Sequence, residues 1–169
     1  MSAAAKKTEE VTNPLFDKRL LHAFVDGVIK TLATIAQTEA KVGKPFIEPE
    51  FTATGEIAGM VGMIAPPLKG TLLISYTKPA IFHIMENMLG EKHSELTNEV
   101  SDAVGELTNM IYGTAKTALN QMGYNFEMAI PSVIRGEFIV SKASKGATLV
   151  IPFELKNNTS FFVKITVQM

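Results

Sequence analysis

The residues of this chain best suited to chemistry are a carboxylate and a carboxamide three positions apart, Glu106 and Asn109. In a helix this spacing directs both side chains to the same face, about one turn apart. Such a pair can bind a cationic group through the carboxylate and orient a water molecule through the amide. Asp102 precedes the pair, and Gly113 and Lys116 follow it, at further steps of three and four. The spacing therefore predicts one polar ridge.

The element that must position this polar ridge is a long helix, predicted over residues 99–122. The stretch has no proline, is rich in good helix formers, and carries apolar residues at helical steps: Val100, Val104, Leu107, Ile111, Ala118 and Met122. Gly105 and Gly113 flank the pair, and each costs about 1 kcal/mol relative to alanine inside a helix. A helix that keeps both glycines is expected to let another molecule approach its surface closely.

Spacing alone leaves two interpretations of Glu106 and Asn109 open. Many surface helices carry a glutamate and an asparagine three apart, so periodicity cannot separate an exposed face from a functional site. Other chemistry has less support in the sequence. The three histidines, His22, His83 and His93, have no histidine or cysteine neighbour at helical or hairpin spacing, and no H-E-x-x-H motif is present. There is no G-x-S-x-G motif and no glycine-rich phosphate loop. No metal site is therefore predicted.

Length and composition restrict the class of protein. A chain of 169 residues that is 46% hydrophobic can form one domain with a substantial core. Its net charge of -1 gives no general attraction to nucleic acid or to anionic membranes. The absence of cysteine fits a reducing compartment, and the N-terminus lacks the apolar segment of a signal peptide. We predict a cytoplasmic protein that binds neither nucleic acid nor membrane.

The sequence pattern predicts a repeated order of one helix followed by three strands. Residues 1–13 are expected to be a flexible tail and residues 14–169 one domain. The first helix is predicted to open at Asn13 and Pro14 and to run to about Val42. Three strands, a short helix from Lys78 to Gly90 with Leu89 facing inward, and the long helix follow. The predicted strands are 46–54, 56–65 and 70–76, then 132–140, 147–155 and 159–168.

A shift of 86 positions aligns the two halves, since it places Lys30 over Lys116 and Pro45 over Pro131. We therefore predict an α/β fold of the α+β type, built from pseudo-duplicated helix-plus-three-strand units, with an antiparallel sheet covered by long helices.

The same shift places apolar or small residues, Leu20 and Ala23, opposite Glu106 and Asn109. Only the second long helix is then expected to carry the polar pair.

The segment around the polar ridge resembles the phosphatase motif of the CheC/CheX/FliY family of chemotaxis proteins. That motif is Asp or Ser, three residues, Glu, two residues and Asn, with a proline some twenty residues further on. Asp102, Glu106, Asn109 and Pro131 fit this pattern. The segments MLGE, NEVSDAVGELTNMIYGTAK and GYNFEMAIPSV also resemble the CheX type. The motif stands on one helix, as in the CheX type, whereas the CheC type usually carries it on both. The resemblance covers almost the whole chain and implies a CheC-like fold.

This resemblance implies a phosphatase that hydrolyses the aspartyl phosphate of a CheY-like response regulator and so terminates the chemotaxis signal. The regulator would supply Mg²⁺ and a lysine, and this chain would bind no cofactor of its own. Asn109 would aim a water molecule in line with the P–O bond, and Glu106 would pair with the regulator's lysine. Asp102, Gly105 and Gly113 would contact the regulator. A homodimer formed by edge-to-edge pairing of sheets is also implied.

Two alternatives to this function stay open from the sequence. One is a non-catalytic module that binds the regulator through the same polar ridge. The other is the same phosphatase chemistry on a response regulator outside chemotaxis.

Overall fold

The computed structural model describes residues 17–136, 139–140 and 147–168. Its helices are α1 (Lys18–Ile35), α2 (Lys78–Leu89) and α3 (Asn98–Gln121). Its strands are β1 (Ala40–Val42), β2 (Phe46–Glu48), β3 (Phe51–Thr52), β4 (Ile57–Ala65), β5 (Leu68–Tyr76), β6 (Ser132–Arg135), β7 (Ile139–Val140), β8 (Thr148–Leu155) and β9 (Ser160–Gln168). The tail predicted at 1–13 and the helix start predicted at Asn13 and Pro14 lie outside the described residues. Among the helices described, none is both long and apolar enough to cross a bilayer.

Most strands form one antiparallel sheet in the order β1-β8-β9-β5-β4-β6, and β2 also pairs with β8. Two hairpins, β4–β5 and β8–β9, make up its centre and pair with each other through β5 and β9. The short strands of each half of the chain pair with the hairpin of the other half. Strands β1 and β2 pair with β8, and β6 pairs with β4. The two halves are thus interlocked copies of one plan, which confirms the predicted fold class.

Helices α1 and α3 lie side by side over one face of this sheet, and their apolar side chains join those of the sheet in one core. Two glycines set how closely these layers approach. A Cβ on Gly27 of α1 would lie 3.2 Å from the Ile111 carbonyl oxygen of α3. A Cβ on Gly59 of β4 would collide with Oγ1 of Thr108 on α3. Thr108 is fully buried, and its hydroxyl donates to the Val104 carbonyl at 2.7 Å. This contact fixes which face of α3 points away from the sheet.

Helix α1 ends earlier than predicted, and the residues assigned to its last turn form β1 instead. Gln37 adopts a left-handed conformation with φ 44. The Thr38 N–H then donates to the Leu32 carbonyl at 2.9 Å, so the helix closes with a left-handed residue directly after its C-cap. The prediction to Val42 was wrong because it relied on Gly43 as the stop signal, whereas the chain turns at a glutamine.

Two predicted strands are each divided in the structure. The stretch 46–54 splits into β2, which pairs with β8, and β3, which pairs with β7 in a separate two-stranded sheet. The stretch 132–140 splits into β6 and β7 after Gly136, whose φ is 96. Pro152 lies within β8, which has β9 on one side and β1 and β2 on the other. It pairs in regular register with Phe162 and lies opposite the gap between β1 and β2.

A methionine and a leucine predicted to face the core are exposed instead. Met122 is 47% exposed and Leu89 is 46% exposed. Met122 is the C-cap of α3, and Leu89 is the last residue of α2. Both therefore lie where their helix ends, and the helical period no longer directs them to the core.

Candidate functional site

The site is carried by α3, and its first turn is held in place by local and tertiary contacts. Thr97 is the N-cap and accepts a hydrogen bond from the Val100 N–H, and Glu99 lies in the first turn, where a carboxylate is favourable. The guanidinium of Arg135, at the end of β6, donates three hydrogen bonds to this region: Ser101 Oγ at 2.8 Å, the Leu96 carbonyl at 2.7 Å and Asn98 Oδ1 at 2.7 Å. The start of α3 is thereby tied to the sheet.

One face of α3 is buried and the opposite face carries the predicted polar ridge. The buried residues are Val100, Val104, Leu107, Thr108, Ile111, Tyr112, Ala115 and Leu119. Asp102, Glu106 and Asn109 are exposed. Within the part of the chain that the structure describes, these three side chains have no hydrogen-bond or ion-pair partner. The ridge therefore offers a carboxylate and a carboxamide, one turn apart, to a molecule that docks from outside.

The two glycines beside the pair have different surroundings. A Cβ on Gly113 would meet no atom within 4 Å, so this position faces open space. A Cβ on Gly105 would lie 3.4 Å from Val133 Cγ2 of β6. Gly105 is therefore next to the chain's own sheet, while Gly113 lies on the open side of α3.

A groove of about 1010 Å³ runs between α1 and α3, and Asn109 and Gly113 form part of its wall. The residues that α1 contributes include Lys18, His22, Asp26 and Lys30. Sequence reasoning did not assign α1 a role at the site. The available signal was the spacing of those four polar residues at steps of four, which places them on one helix face.

One end of the groove is fixed by a charged cluster. Arg19 forms an ion pair with Asp17 at 2.8 Å, and the Tyr124 hydroxyl donates to the same carboxylate at 2.7 Å. The hydrogen bond from the Arg19 guanidinium lowers the pKa of Asp17 to about 2. Burial, together with the hydrogen bond to Asp17, raises the pKa of Tyr124 to about 12. This cluster joins the start of α1 to the chain just after α3 and so fixes the spacing of the two helices there.

A second group of ligand-type side chains lies near the start of α3. Ligand atoms of Glu91, His93 and Glu99 lie within 4.8 Å of one another. The sequence had indicated no such neighbour for His93, because Glu91 and Glu99 meet it through a loop rather than at helical or hairpin spacing. His93 Nε2 lies 3.3 Å from Glu99 Oε2, so this contact is already satisfied as a hydrogen bond. The group has the donor types of a divalent-cation site, but it does not include the polar ridge.

The interlocked sheet, the paired helices and the unpaired Glu106–Asn109 ridge define the class of protein: an α+β domain with an exposed polar helix face. The family model for the chemotaxis phosphatase CheX matches residues 57–154. The chain therefore belongs to the CheX family, and the resemblance noted in the sequence is confirmed.

Proteins of known structure or function support this assignment. A CheC-like superfamily protein from Shewanella sp. PV-4 is 35% identical, with a TM-score of 0.83, over 91% of this chain and 100% of that one. The CheY-P phosphatase CheX of Thermotoga maritima is 24% identical over 90% of this chain and 97% of its own length. The CheX-CheY-BeF3-Mg complex from Borrelia burgdorferi contains a chain with the same fold. It is 22% identical, with a TM-score of 0.74, over 89% of this chain and 98% of that one.

Proposed function

We propose that this protein hydrolyses the aspartyl phosphate of a CheY-like response regulator and thereby terminates the chemotaxis signal. The observation that carries the proposal is the exposed, unpaired Glu106–Asn109 pair on α3 in a chain of the CheX family. The Thermotoga maritima relative, which matches 90% of this chain, is a CheY-P phosphatase. A chain of the same fold forms a complex with CheY, BeF3 and Mg.

Hydrolysis of the aspartyl phosphate requires this chain to position a water molecule, and it does not require a base or a metal on this chain. Phosphoryl transfer depends mainly on in-line geometry and on charge stabilisation. The regulator supplies Mg²⁺, which neutralises charge on the phosphoryl group. The Asn109 amide donates to and accepts from one water molecule and holds it in line with the P–O bond. Glu106, one turn away, pairs with the regulator's active-site lysine and sets the docking register.

The remaining ridge residues contribute to docking in this proposal. Asp102 lies one turn before Glu106 and is exposed, so it contacts the regulator at the edge of the interface. Gly113 has open space where a side chain would lie, which allows the regulator's backbone to approach α3. At Gly105 a Cβ would be in ordinary contact with Val133 Cγ2 at 3.4 Å, so the role of this glycine in the proposal is to keep the surface of α3 low beside Glu106.

The decay of a phosphorylated regulator in the presence of Mg²⁺ tests the roles of the pair. Asn109→Ala is expected to lower kcat by about 100-fold or more, since it removes the group that orients the water. Glu106→Ala is expected mainly to raise Kd for the regulator. Asn125→Ala and Glu86→Ala are matched controls, because both residues are exposed and neither belongs to α3. Full activity in Asn109→Ala would contradict the water-positioning role.

The same assay separates the two alternatives. A non-catalytic binding module would slow the loss of phosphate or leave it unchanged. A phosphatase that serves a regulator outside chemotaxis would accelerate decay of that regulator and not of the CheY type in a panel of phosphorylated regulators. We further propose that residues 14–169 form one domain and that the protein acts in the cytoplasm.

We also propose that the protein is a homodimer joined through the β6 edge of its sheet. Edge strands expose unpaired backbone groups and are templates for pairing. Met128 and Ile130, just before β6, are 88% and 91% exposed, and such apolar exposure favours burial against a second copy. Ile130→Lys is expected to give a monomer in size-exclusion chromatography with light scattering. Ile47→Lys, at the opposite edge, should leave the dimer intact, and the reverse result would assign the interface to the β1–β2 edge.

A further inference from the structure

The groove between α1 and α3 carries charge that the proposed chemistry does not use. Its lining includes three cationic residues, Lys18, Arg19 and Lys30, together with His22 and a single carboxylate, Asp26. The chain as a whole has a net charge of -1. The groove is therefore a local positive site on a slightly acidic protein.

Two of these cations are available to a partner. Arg19 is held by Asp17 in an ion pair of 2.8 Å. Lys18 and Lys30 are exposed and have neither an ion pair nor a side-chain hydrogen bond among the residues that the structure describes. They lie twelve positions apart on α1 and line the same groove. Like charges that line one concave surface raise the local concentration of an acidic partner.

The size of the groove fits a segment of protein better than a phosphoryl group alone. Its volume is about 1010 Å³, at the upper end of the range of about 300–1,000 Å³ that drug-sized ligands occupy. Small residues widen it: Ala23 and Gly27 on α1, and Gly113 and Ala118 on α3. The groove is thus apolar along its floor and positive along the α1 rim.

The groove is also continuous with the proposed active site, because Asn109 is one of its lining residues. A regulator whose phosphoryl group reaches Asn109 must cover the adjoining part of the groove. We infer that the groove receives an acidic segment of the same response regulator, whose carboxylates lie against Lys18 and Lys30. This inference rests on the proposed function. In this role the two lysines speed association and select the regulator, and they take no part in hydrolysis.

The test compares two double charge reversals that change the net charge equally. Lys18→Glu with Lys30→Glu alters the groove. Lys44→Glu with Lys69→Glu alters exposed lysines on the loop after β1 and on β5, neither of which lines the groove. The probe is a CheY-type regulator from the same organism, loaded with BeF3⁻ and Mg²⁺ for binding and phosphorylated for turnover. Thermal unfolding of each variant confirms that it folds.

We expect the groove variant to raise Kd and KM about tenfold at about 0.05 M salt and to leave kcat unchanged. The difference should shrink as added salt screens the charges. The control variant should bind like the native protein. The milder pair Lys18→Gln with Lys30→Gln should fall between native and reversed.

Three results would overturn the inference. They are an unchanged Kd in the groove variant, an equal loss in the control variant, and a fall in kcat at constant Kd. Each is distinguishable from failure of the proposed function, which is read from Asn109→Ala. If that variant loses hydrolysis while the groove variant binds normally, the phosphatase stands and the groove has no part in recognition.

Discussion

Gly113→Ala is expected to make the protein more stable and less active. Gly113 lies inside α3, and a Cβ there would meet no atom within 4 Å. Alanine in a helix interior is favoured over glycine by about 1 kcal/mol, chiefly because glycine loses more backbone freedom on folding. For a chain of this size, that gain corresponds to a rise in Tm of about 2–4 °C.

The same methyl group would project into the groove beside Asn109, where the regulator is proposed to dock. A displacement of about 1 Å at a reacting centre can cost on the order of 100-fold in rate. We therefore expect kcat/KM for the phosphorylated regulator to fall by about ten- to 100-fold. The free energy of unfolding is measured by urea denaturation and kcat/KM by phosphate decay on the same preparations.

Gly62→Ala is the matched control for this prediction. A Cβ on Gly62 of β4 would also meet no atom within 4 Å, and this residue does not line the groove. The activity of Gly62→Ala should equal that of the native protein. If Gly113→Ala keeps full activity, nothing packs against Gly113 in the complex and the close-approach argument fails. If Gly113→Ala loses stability instead, the open space inferred on this side of α3 is wrong.

Two further predictions concern stability. Gly59→Ala should lower the free energy of unfolding by about 1–3 kcal/mol in urea denaturation, because its Cβ would collide with Thr108 Oγ1 and push α3 off the sheet. Asp17→Asn keeps a capping side chain but removes the charge, and should cost about 1 kcal/mol at pH 7. The pKa of Asp17 is lowered from 3.8 to about 2. Its contribution is therefore present above pH 3.8 and is lost as pH falls through 2, so native and variant curves should converge there.

Helix bounds and faces could be predicted from the sequence where the capping residues and the apolar period of the helix lie within its own segment. Helix α2 was predicted to begin at Lys78 and to end at Gly90, and the structure places it at Lys78–Leu89, with Gly90 left-handed at φ 74. The polar ridge of α3 was predicted from period alone, since an apolar stripe fixes the opposite face. The end of α1 could not be predicted in this way. Gln37 takes a conformation that a glycine usually supplies.

The groove could not be predicted because it depends on which helices are neighbours. The row of polar residues on α1 is visible in the sequence, but its partner is not. The structure brings Gly27 of α1 against Ile111 and Ala115 of α3. This packing of α1 on α3 places Lys18 and Lys30 on the same groove as Asn109. A long-range contact of two helices therefore decides whether an ordinary charged helix face becomes part of the site.

Burial shows which positions of the two long helices correspond and why only α3 carries the polar pair. Leu20 and Ala23, which the 86-residue shift places opposite Glu106 and Asn109, are 0% and 5% exposed. Their side chains belong to the core, while the pair on α3 faces outward. A glutamate at Leu20 would therefore bury a charge without a partner, at a cost of several kcal/mol. The 86-residue shift therefore pairs the buried face of α1 with the exposed face of α3, and it was wrong as an alignment of equivalent positions in the two helices. The exposed face of α1 carries Lys18, His22 and Asp26. Helix α1 contains neither glutamate nor asparagine, so α3 alone carries the polar pair.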